Sequence, residues 1–402
     1  MSAATASKGS RWFVSTGVAF LVAWQGIALA TTAGALSVSR TTLAVLGVHG
    51  FVLHVLLGKA YALVPTYFDR TLAAPRAPLA ALPFTAVGAA ALAVGTATDL
   101  AVAGAGASLW AAGVLGSLGV LAWTVRGNLS GAETATGEAN AHRRRVDRVA
   151  NAAVPFVLAY LAAGAYQTAA VATGLPALAA AGFPAAAHLL AAGGALGLLF
   201  AVGFRLLPRF LVSSPPFAVV VVVLPAGVVA PALLVAGFGG GPLFVAGAAL
   251  EATAVAGFAA AYGSLYARTD RDRVGFHGVL AAVVSGLAGV AIGLGFALGH
   301  VAPTADHVLA HFRLNVLGLL GLSIVGVVYQ FYPPAVGVLP HSGDRTALAS
   351  IVALAAGLWV EAAGRLAGYD GVATAGLVVG FVGALAFAYV VASALRARAA
   401  RR

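Results

Sequence analysis

The strongest constraint in this sequence is a series of twelve apolar stretches, each about 20 residues long or longer. A helix needs about 20 mostly apolar residues to cross the hydrocarbon core of a bilayer. The chain is 61% hydrophobic and 9% charged, so the sequence excludes a water-soluble globule and predicts an all-α polytopic membrane protein with a single integral membrane domain over residues 1–402. We place the helices at 12–36, 41–65, 78–98, 100–125, 149–174, 183–208, 215–238, 241–266, 276–301, 305–334, 347–366 and 372–395.

The distribution of basic residues predicts the topology. With the N-terminus inside, 19 of the 23 Lys and Arg residues fall at the inner side, and only Arg40 and Arg365 fall in outer loops. Short loops rich in Lys and Arg face the cytoplasm. We therefore expect a multi-pass plasma-membrane protein with both termini in the cytoplasm, in contact with lipid and not with nucleic acid. The absence of cysteine excludes disulfides and thiolate-held metal sites.

Three predicted helices share a motif at their inner ends. Helix 2 contains G-x-x-Y-x-x-x-P, helix 10 repeats it, and helix 6 carries a looser copy; the residues are Gly58, Tyr61 and Pro65, then Gly326, Tyr329 and Pro333, then Gly203 and Pro208. Glycine allows close helix contact in a membrane, and proline ends a helix. Because the copies are about four helices apart, the repeat predicts three pseudo-repeated four-helix units.

Histidines lie in the same three helices, each of which has at least one in its outer half, while His54 lies deeper. They are His49 and His54 in helix 2, His188 in helix 6, and His307 and His311 in helix 10. Neutral imidazole is a common ligand of haem iron and of copper. Two axial ligands of one haem need matching depth on facing helices, and His49 with His311 meets the depth condition. The alternative is that each histidine hydrogen-bonds a neighbouring helix.

Several charged residues fall inside the apolar stretches. Arg313 lies in helix 10, Lys59 near the inner end of helix 2, and Glu251 near the middle of helix 8. Ionisable groups in a membrane usually face a cavity or a partner. Arg313 could clamp a haem propionate, Glu251 could relay protons and Lys59 could extend to the surface, or these charges could form structural ion pairs. We interpret Glu361 in helix 11 as an interfacial residue.

The segment HFRLNVLGLLGLSIVGVVYQFYP (311–333) resembles helix 10 of the catalytic subunit of haem–copper oxidases, a superfamily that includes nitric oxide reductase. The segments HLLAAGGALGLLFAVGFRLLPRF (188–210) and HGFVLHVLLGKAYALVP (49–65) look like its helices 6 and 2, and the NnrS family is similar in outline. The resemblance implies twelve helices in three groups of four. It also implies a haem with His49 or His54 and His311 as axial ligands and Arg313 on a propionate, while His188 and His307 become candidate metal positions.

The sequence departs from that family at two ligand positions. The family pattern H-x-H reads His311-Phe312-Arg313 here, so the second axial ligand is lost. Helix 7, which carries a histidine pair in the family, contains no histidine. We therefore expect neither the usual copper site nor oxygen reduction of the oxidase type.

Three hypotheses follow. The first is a membrane oxidoreductase with one haem, in respiratory or nitric-oxide-related chemistry, supplied with electrons by another membrane subunit or a quinone. The second is a secondary transporter with a site around Glu251, Lys59 and His54. The third is a redox-inactive structural subunit that depends on a partner.

Overall fold

The computed structural model describes residues 2–98 and 100–400, and its regular structure over these residues is helical. Twelve helices are long and apolar enough to cross a membrane, as the sequence predicts. We number them α1 (Ser2–Thr32), α2 (Arg40–Tyr67), α3 (Ala77–Ala97), α4 (Ala103–Val125), α5 (Arg144–Thr173), α6 (Phe183–Phe210), α7 (Phe217–Ala236), α8 (Gly241–Ala267), α9 (Val274–Ala297), α10 (Ala305–Phe331), α11 (Asp344–Ala367) and α12 (Asp370–Ala400). Because twelve is even, α1 begins and α12 ends at the same end of the bundle, called here the terminal end.

The ends of α1, α5 and α10 differ from the hydropathy-based prediction by three to ten residues, and each difference has a local cause. Helix α1 begins ten residues earlier than predicted and ends at Thr32, before Gly34, which has a positive φ of 76°. Helix α10 ends at Phe331 instead of residue 334, because Pro333 disfavours helical geometry at the residue before it. Helix α5 begins at Arg144 instead of residue 149, since its first turn is basic and hydropathy misses it.

Helices α2, α6 and α10 each contain a π-helical segment, in the first half of α2 and α6 and in the middle of α10. The segments are Val45–Val52, Leu189–Leu196 and Leu314–Leu322. A π-helical turn widens the helix by one residue and is frequently found at functional sites. The same irregularity therefore recurs at the same place in each predicted four-helix unit, in the helices that carry the repeated motif.

These three helices form the centre of the bundle. Their apolar windows are 83%, 67% and 78% buried inside the protein, against 33–50% for the other nine spans. Their π-helical segments contact one another, and the Phe51 ring of α2 packs against Gly321 of α10. The side chains that bear on function therefore lie on or around a central triad of α2, α6 and α10.

Glycine allows some helices to touch through their backbones. A Cβ atom at Gly326 of α10 would overlap the carbonyl oxygen of Gly275 in α9 and lie 3.0 Å from the amide nitrogen of Val279. Close backbone contact of this kind is typical of membrane helices, because their association depends on van der Waals packing and small residues let the backbones approach each other.

Candidate functional site

His49 points away from the centre of the triad. Its Nε2 lies 3.1 Å from the Thr168 hydroxyl of α5, and its ring lies 4.4 Å from the Trp110 ring of α4. The side chain is 2% exposed. The structure therefore places His49 at the junction of α2 with α4 and α5, on the side away from α10.

His54 faces α1. Its Nδ1 donates to the carbonyl oxygen of His49 at 2.9 Å, and its ring lies between Phe13 and Phe20, with centroids 5.8 and 5.3 Å away. The widened π-helical turn allows this hydrogen bond between residues five apart. The Nε2 atom is buried and has no hydrogen-bond partner among the described residues.

His188 and His307 are half-buried near the starts of α6 and α10. The Nδ1 of His188 bonds the Pro184 carbonyl at 2.9 Å, and that of His307 bonds the Ala302 carbonyl at 2.8 Å. Within residues 2–98 and 100–400, no three His, Asp or Glu side chains come together as a metal site. The proposed metal role of these two histidines stays a prediction.

His311 packs against α9. Its Nδ1 lies 2.8 Å from the carbonyl oxygen of Gly289, and its ring lies edge-on to Phe296 at 5.7 Å. Asn315, one turn later, donates to the His311 carbonyl oxygen at 2.8 Å. A Cβ atom at Gly293 would lie 2.7 Å from the imidazole, so glycine on α9 makes room for this ring.

A haem held by His49 and His311 would need both imidazoles to face one space. The two rings instead contact different helices, α4 and α5 for His49 and α9 for His311. The cavity found among α2, α6 and α10 has a volume of about 70 Å³ and lies toward the terminal end, beside Lys59. Cofactor pockets typically measure about 300–1,000 Å³. The residues as arranged do not fit a bis-histidine haem.

Arg313 is 1% exposed and forms an ion pair with Glu361 of α11. Its Nε and Nη2 lie 2.9 and 2.7 Å from the Glu361 Oε2. Nη2 also donates to the Gln25 Oε1 of α1 at 2.8 Å, and the guanidinium lies over the Trp24 ring at 4.6 Å. The residue expected to clamp a propionate therefore binds a carboxylate of its own chain.

Glu361 is 1% exposed, so its interpretation as an interfacial residue is wrong. It also accepts from the Nε of Arg365 at 3.1 Å, and Arg365 reaches Asp306 at 3.3 Å and the Thr32 hydroxyl at 3.0 Å. Arg365 is thus part of α11 and not of an outer loop. The i,i+4 spacing of Glu361 and Arg365 was the signal available in the sequence.

Lys59 and Glu251 lie at separate interfaces. The Lys59 Nζ donates to the Tyr332 hydroxyl at 3.2 Å and lies 4.2 Å from the Phe331 ring centroid of α10. Glu251 is buried in α8, where its Oε2 has no partner among the described residues. The Tyr160 hydroxyl of α5 lies close enough to Glu251 to interact with it electrostatically, and it donates to the Val228 carbonyl of α7 at 2.6 Å.

A second buried charge network, which the sequence analysis missed, lies at the terminal end of α5 and α6. Asp147 is paired with Arg205 at 3.3 Å and Arg209 at 2.7 Å. Arg205 also donates to the carbonyl oxygens of Tyr67 and Thr134, each at 2.7 Å. Both arginines, which the sequence places among the basic residues of the inner side, lie in α6 and join it to α2, α5 and the segment before α5.

No protein-family model matches this chain, and no curated protein sequence matches it. Among solved structures, the chain is similar to a haem–copper terminal oxidase dimer determined by cryo-electron microscopy. The match has 15% sequence identity and a TM-score of 0.48, and covers 96% of this chain and 84% of that chain.

Proposed function

We propose that this protein is a redox-inactive membrane subunit with a helix plan like that of the haem–copper oxidases, whose interior serves structure. The observation that carries the proposal is the environment of Arg313. In the sequence pattern, Arg313 stands where the family has its second axial histidine. Here that side chain binds Glu361 and Gln25 and so joins α10 to α11 and α1.

The histidines take a matching role in this proposal. His49 joins α2 to α5 through Thr168, and His311 joins α10 to α9 through the Gly289 carbonyl. Hydrogen bonds between membrane helices contribute about 0.6–2 kcal/mol each. A subunit of this kind acts through a neighbouring protein, so we expect a membrane partner.

One observation favours a second candidate, the haem protein of respiratory or nitric-oxide-related chemistry. Trp24 Nε1, Gln25 Nε2 and Arg313 Nη1 are buried donors without partners among the described residues. Such donors would suit the propionate of a haem, which when bound would supply electron transfer. In this candidate, His54 is the axial ligand on α2, because its Nε2 has no hydrogen-bond partner among the described residues.

The transporter hypothesis finds less support in the geometry. Lys59 contacts α10, His54 contacts α1, and Glu251 is buried in α8, which packs mainly against α7 and α9. A substrate site needs these side chains to converge, and they lie at three different interfaces.

A visible spectrum separates the first two candidates. The protein would be produced in haem-replete cells and purified in mild detergent, and its reduced-minus-oxidised spectrum and pyridine haemochrome would be measured. We expect no stoichiometric haem. A stoichiometric haem that is lost in His311→Ala and kept in His277→Ala would overturn the proposal, since His277 lies at the terminal end of α9.

A further inference from the structure

Three basic side chains meet around Tyr332 at the terminal end of the bundle. Lys59 of α2 donates to the Tyr332 hydroxyl at 3.2 Å, and the Arg398 guanidinium of α12 lies 4.8 Å from the centroid of the Tyr332 ring. Arg11 of α1 lies close enough to act on the same hydroxyl electrostatically. We call Arg11, Lys59 and Arg398 the basic cluster.

The fold fixes the three positions. A Cβ atom at Gly58 would lie 2.6 Å from the Cβ of Phe13, so glycine lets α1 approach α2 next to Arg11 and Lys59. Arg398 is held by a 2.6 Å hydrogen bond to the Phe331 carbonyl at the end of α10. The cluster thus combines two consecutive helices, α1 and α2, with the last helix of the chain, α12.

None of the three cations has a carboxylate partner within 4.0 Å in the part of the chain that the structure describes. The contrast with the rest of the protein is clear, because the buried Arg205, Arg313 and Arg365 are each paired with an acid. In addition, the Arg11 Nε is buried and donates to no described group. The cluster therefore carries positive charge without an acidic partner among the described residues, and the Arg11 Nε is a donor without a described acceptor.

The hydroxyl of Tyr332 is exposed to the positive charge of the cluster. Burial raises the pKa of its hydroxyl, whereas the neighbouring Arg398 and Arg11 guanidinium groups act in the opposite direction.

Close to the cluster, Trp12 follows Arg11 on α1 and is 54% exposed. Tryptophan is enriched where a helix meets the headgroup layer of a bilayer, so the cluster lies at headgroup depth.

We propose that Arg11, Lys59 and Arg398 form a binding site for the phosphate group of an anionic lipid. A phosphate diester offers acceptor oxygens to all three donors and supplies the missing negative charge. The site lies at the depth of a headgroup, which favours a membrane lipid over a phosphate ion from solution.

Native mass spectrometry of the detergent-purified protein tests this assignment. The protein would be titrated with phosphatidylglycerol, with phosphatidylcholine and with inorganic phosphate, and thermal unfolding would be followed in parallel. We expect preferential retention of phosphatidylglycerol and a higher unfolding temperature with that lipid. Lys59→Gln and Arg398→Gln should each weaken binding about fivefold, the equivalent of about 1 kcal/mol per basic residue.

Two matched variants keep the result interpretable. Arg396→Gln removes an exposed arginine from the same helix, outside the cluster, and should leave binding unchanged. Arg398→Lys keeps the charge and should retain most of the affinity even if Arg398→Gln proves unstable. Equal retention of the two lipids, or no loss in the Lys59 and Arg398 variants, would overturn the site. Equal stabilisation by inorganic phosphate would overturn the lipid assignment.

Discussion

The Arg313 Nη2 of α10 lies 2.7 Å from the Glu361 Oε2 of α11, and both side chains are almost completely buried. Two charges removed from water are stable only when they pair well and their remaining donors and acceptors are satisfied. Glu361 also accepts from Arg365, and Arg313 also donates to Gln25, which leaves the Arg313 Nη1 as the one guanidinium nitrogen without a partner among the described residues. This pair therefore fixes how α1, α10 and α11 meet in the half of the bundle away from the terminal end.

Breaking that pair should be costly. Glu361→Gln leaves the Arg313 charge buried without a counter-ion, so we expect the free energy of unfolding in detergent to fall by about 3–5 kcal/mol. The double variant Arg313→Met/Glu361→Leu removes both charges and should be less destabilised than Glu361→Gln. Asp306→Asn is the matched control, because Asp306 is half exposed and its pair with Arg365 contributes about 0–1 kcal/mol. A double variant as unstable as the sum of both single variants would contradict this account.

The network at the terminal end gives a parallel prediction. Asp147 is the acid that neutralises Arg205 and Arg209. Asp147→Asn should therefore also lower the free energy of unfolding by about 3–5 kcal/mol. Glu138→Gln changes an acid in the exposed pair with Arg144 and should change stability by less than about 1 kcal/mol. Equal effects of the two substitutions, measured by denaturant titration, would show that Arg205 is stabilised by the carbonyl oxygens alone.

The sequence predicts the twelve spans because a helix that crosses the hydrocarbon core of a bilayer needs about 20 mostly apolar residues. The repeat of Gly, Tyr and Pro likewise identifies α2, α6 and α10 as equivalent, and the π-helical segments recur in those helices. The sequence does not predict the rotation of each helix about its axis, because a helix that is apolar on all sides has no polar face that would distinguish one orientation from another. His49 and His311 therefore match in depth while pointing to different neighbours.

The same reason explains the error at Glu361. Its place near the end of an apolar stretch is typical of an interfacial residue, and only the packing of α10 on α11 reveals Arg313 beside it. The count of Lys and Arg likewise places Arg205 at the inner side without revealing its partner, because Asp147 is distant in the sequence and meets Arg205 only in the folded structure.

The backbone contact between α9 and α10 should not tolerate a side chain. Gly326→Ala places a methyl group against the Gly275 carbonyl and the Val279 backbone, so the helices must separate and we expect a loss of about 1–3 kcal/mol. Gly263→Ala in α8 is the control, because a Cβ there meets nothing within 4 Å. That variant should be neutral or slightly stabilised, by up to about 1 kcal/mol, through better helix propensity. Comparable melting temperatures for the two variants would contradict close packing at Gly326.

Glu251 should respond differently from Glu361. No Lys or Arg forms a salt bridge with it among the described residues, and its Oε2 has no hydrogen-bond partner there. Glu251→Gln keeps the size of the side chain and breaks no ion pair, so the free energy of unfolding should fall by much less than the loss of about 3–5 kcal/mol expected for Glu361→Gln. A loss as large as that of Glu361→Gln would reveal a charged role for Glu251 and would return weight to the transporter hypothesis.

Glu133, in the segment between α4 and α5 at the terminal end, has an exposed carboxylate whose titration can be measured. Arg70 donates to the Glu133 carboxylate at 2.5 Å, and this hydrogen bond lowers the pKa of Glu133 below its usual value of about 4.5. A lowered pKa means that the pair stabilises the folded state at pH values above about 4.5, and that its contribution is lost as the pH falls through the lowered pKa.

The sequence has only four glutamates, at 133, 138, 251 and 361, so carboxyl-labelled glutamate gives a resolvable NMR titration. We expect the Glu133 resonance to titrate below the usual range in the natural protein and to move back toward it in Arg70→Gln. The same titration in both proteins would mean that Arg70 and Glu133 do not pair in solution.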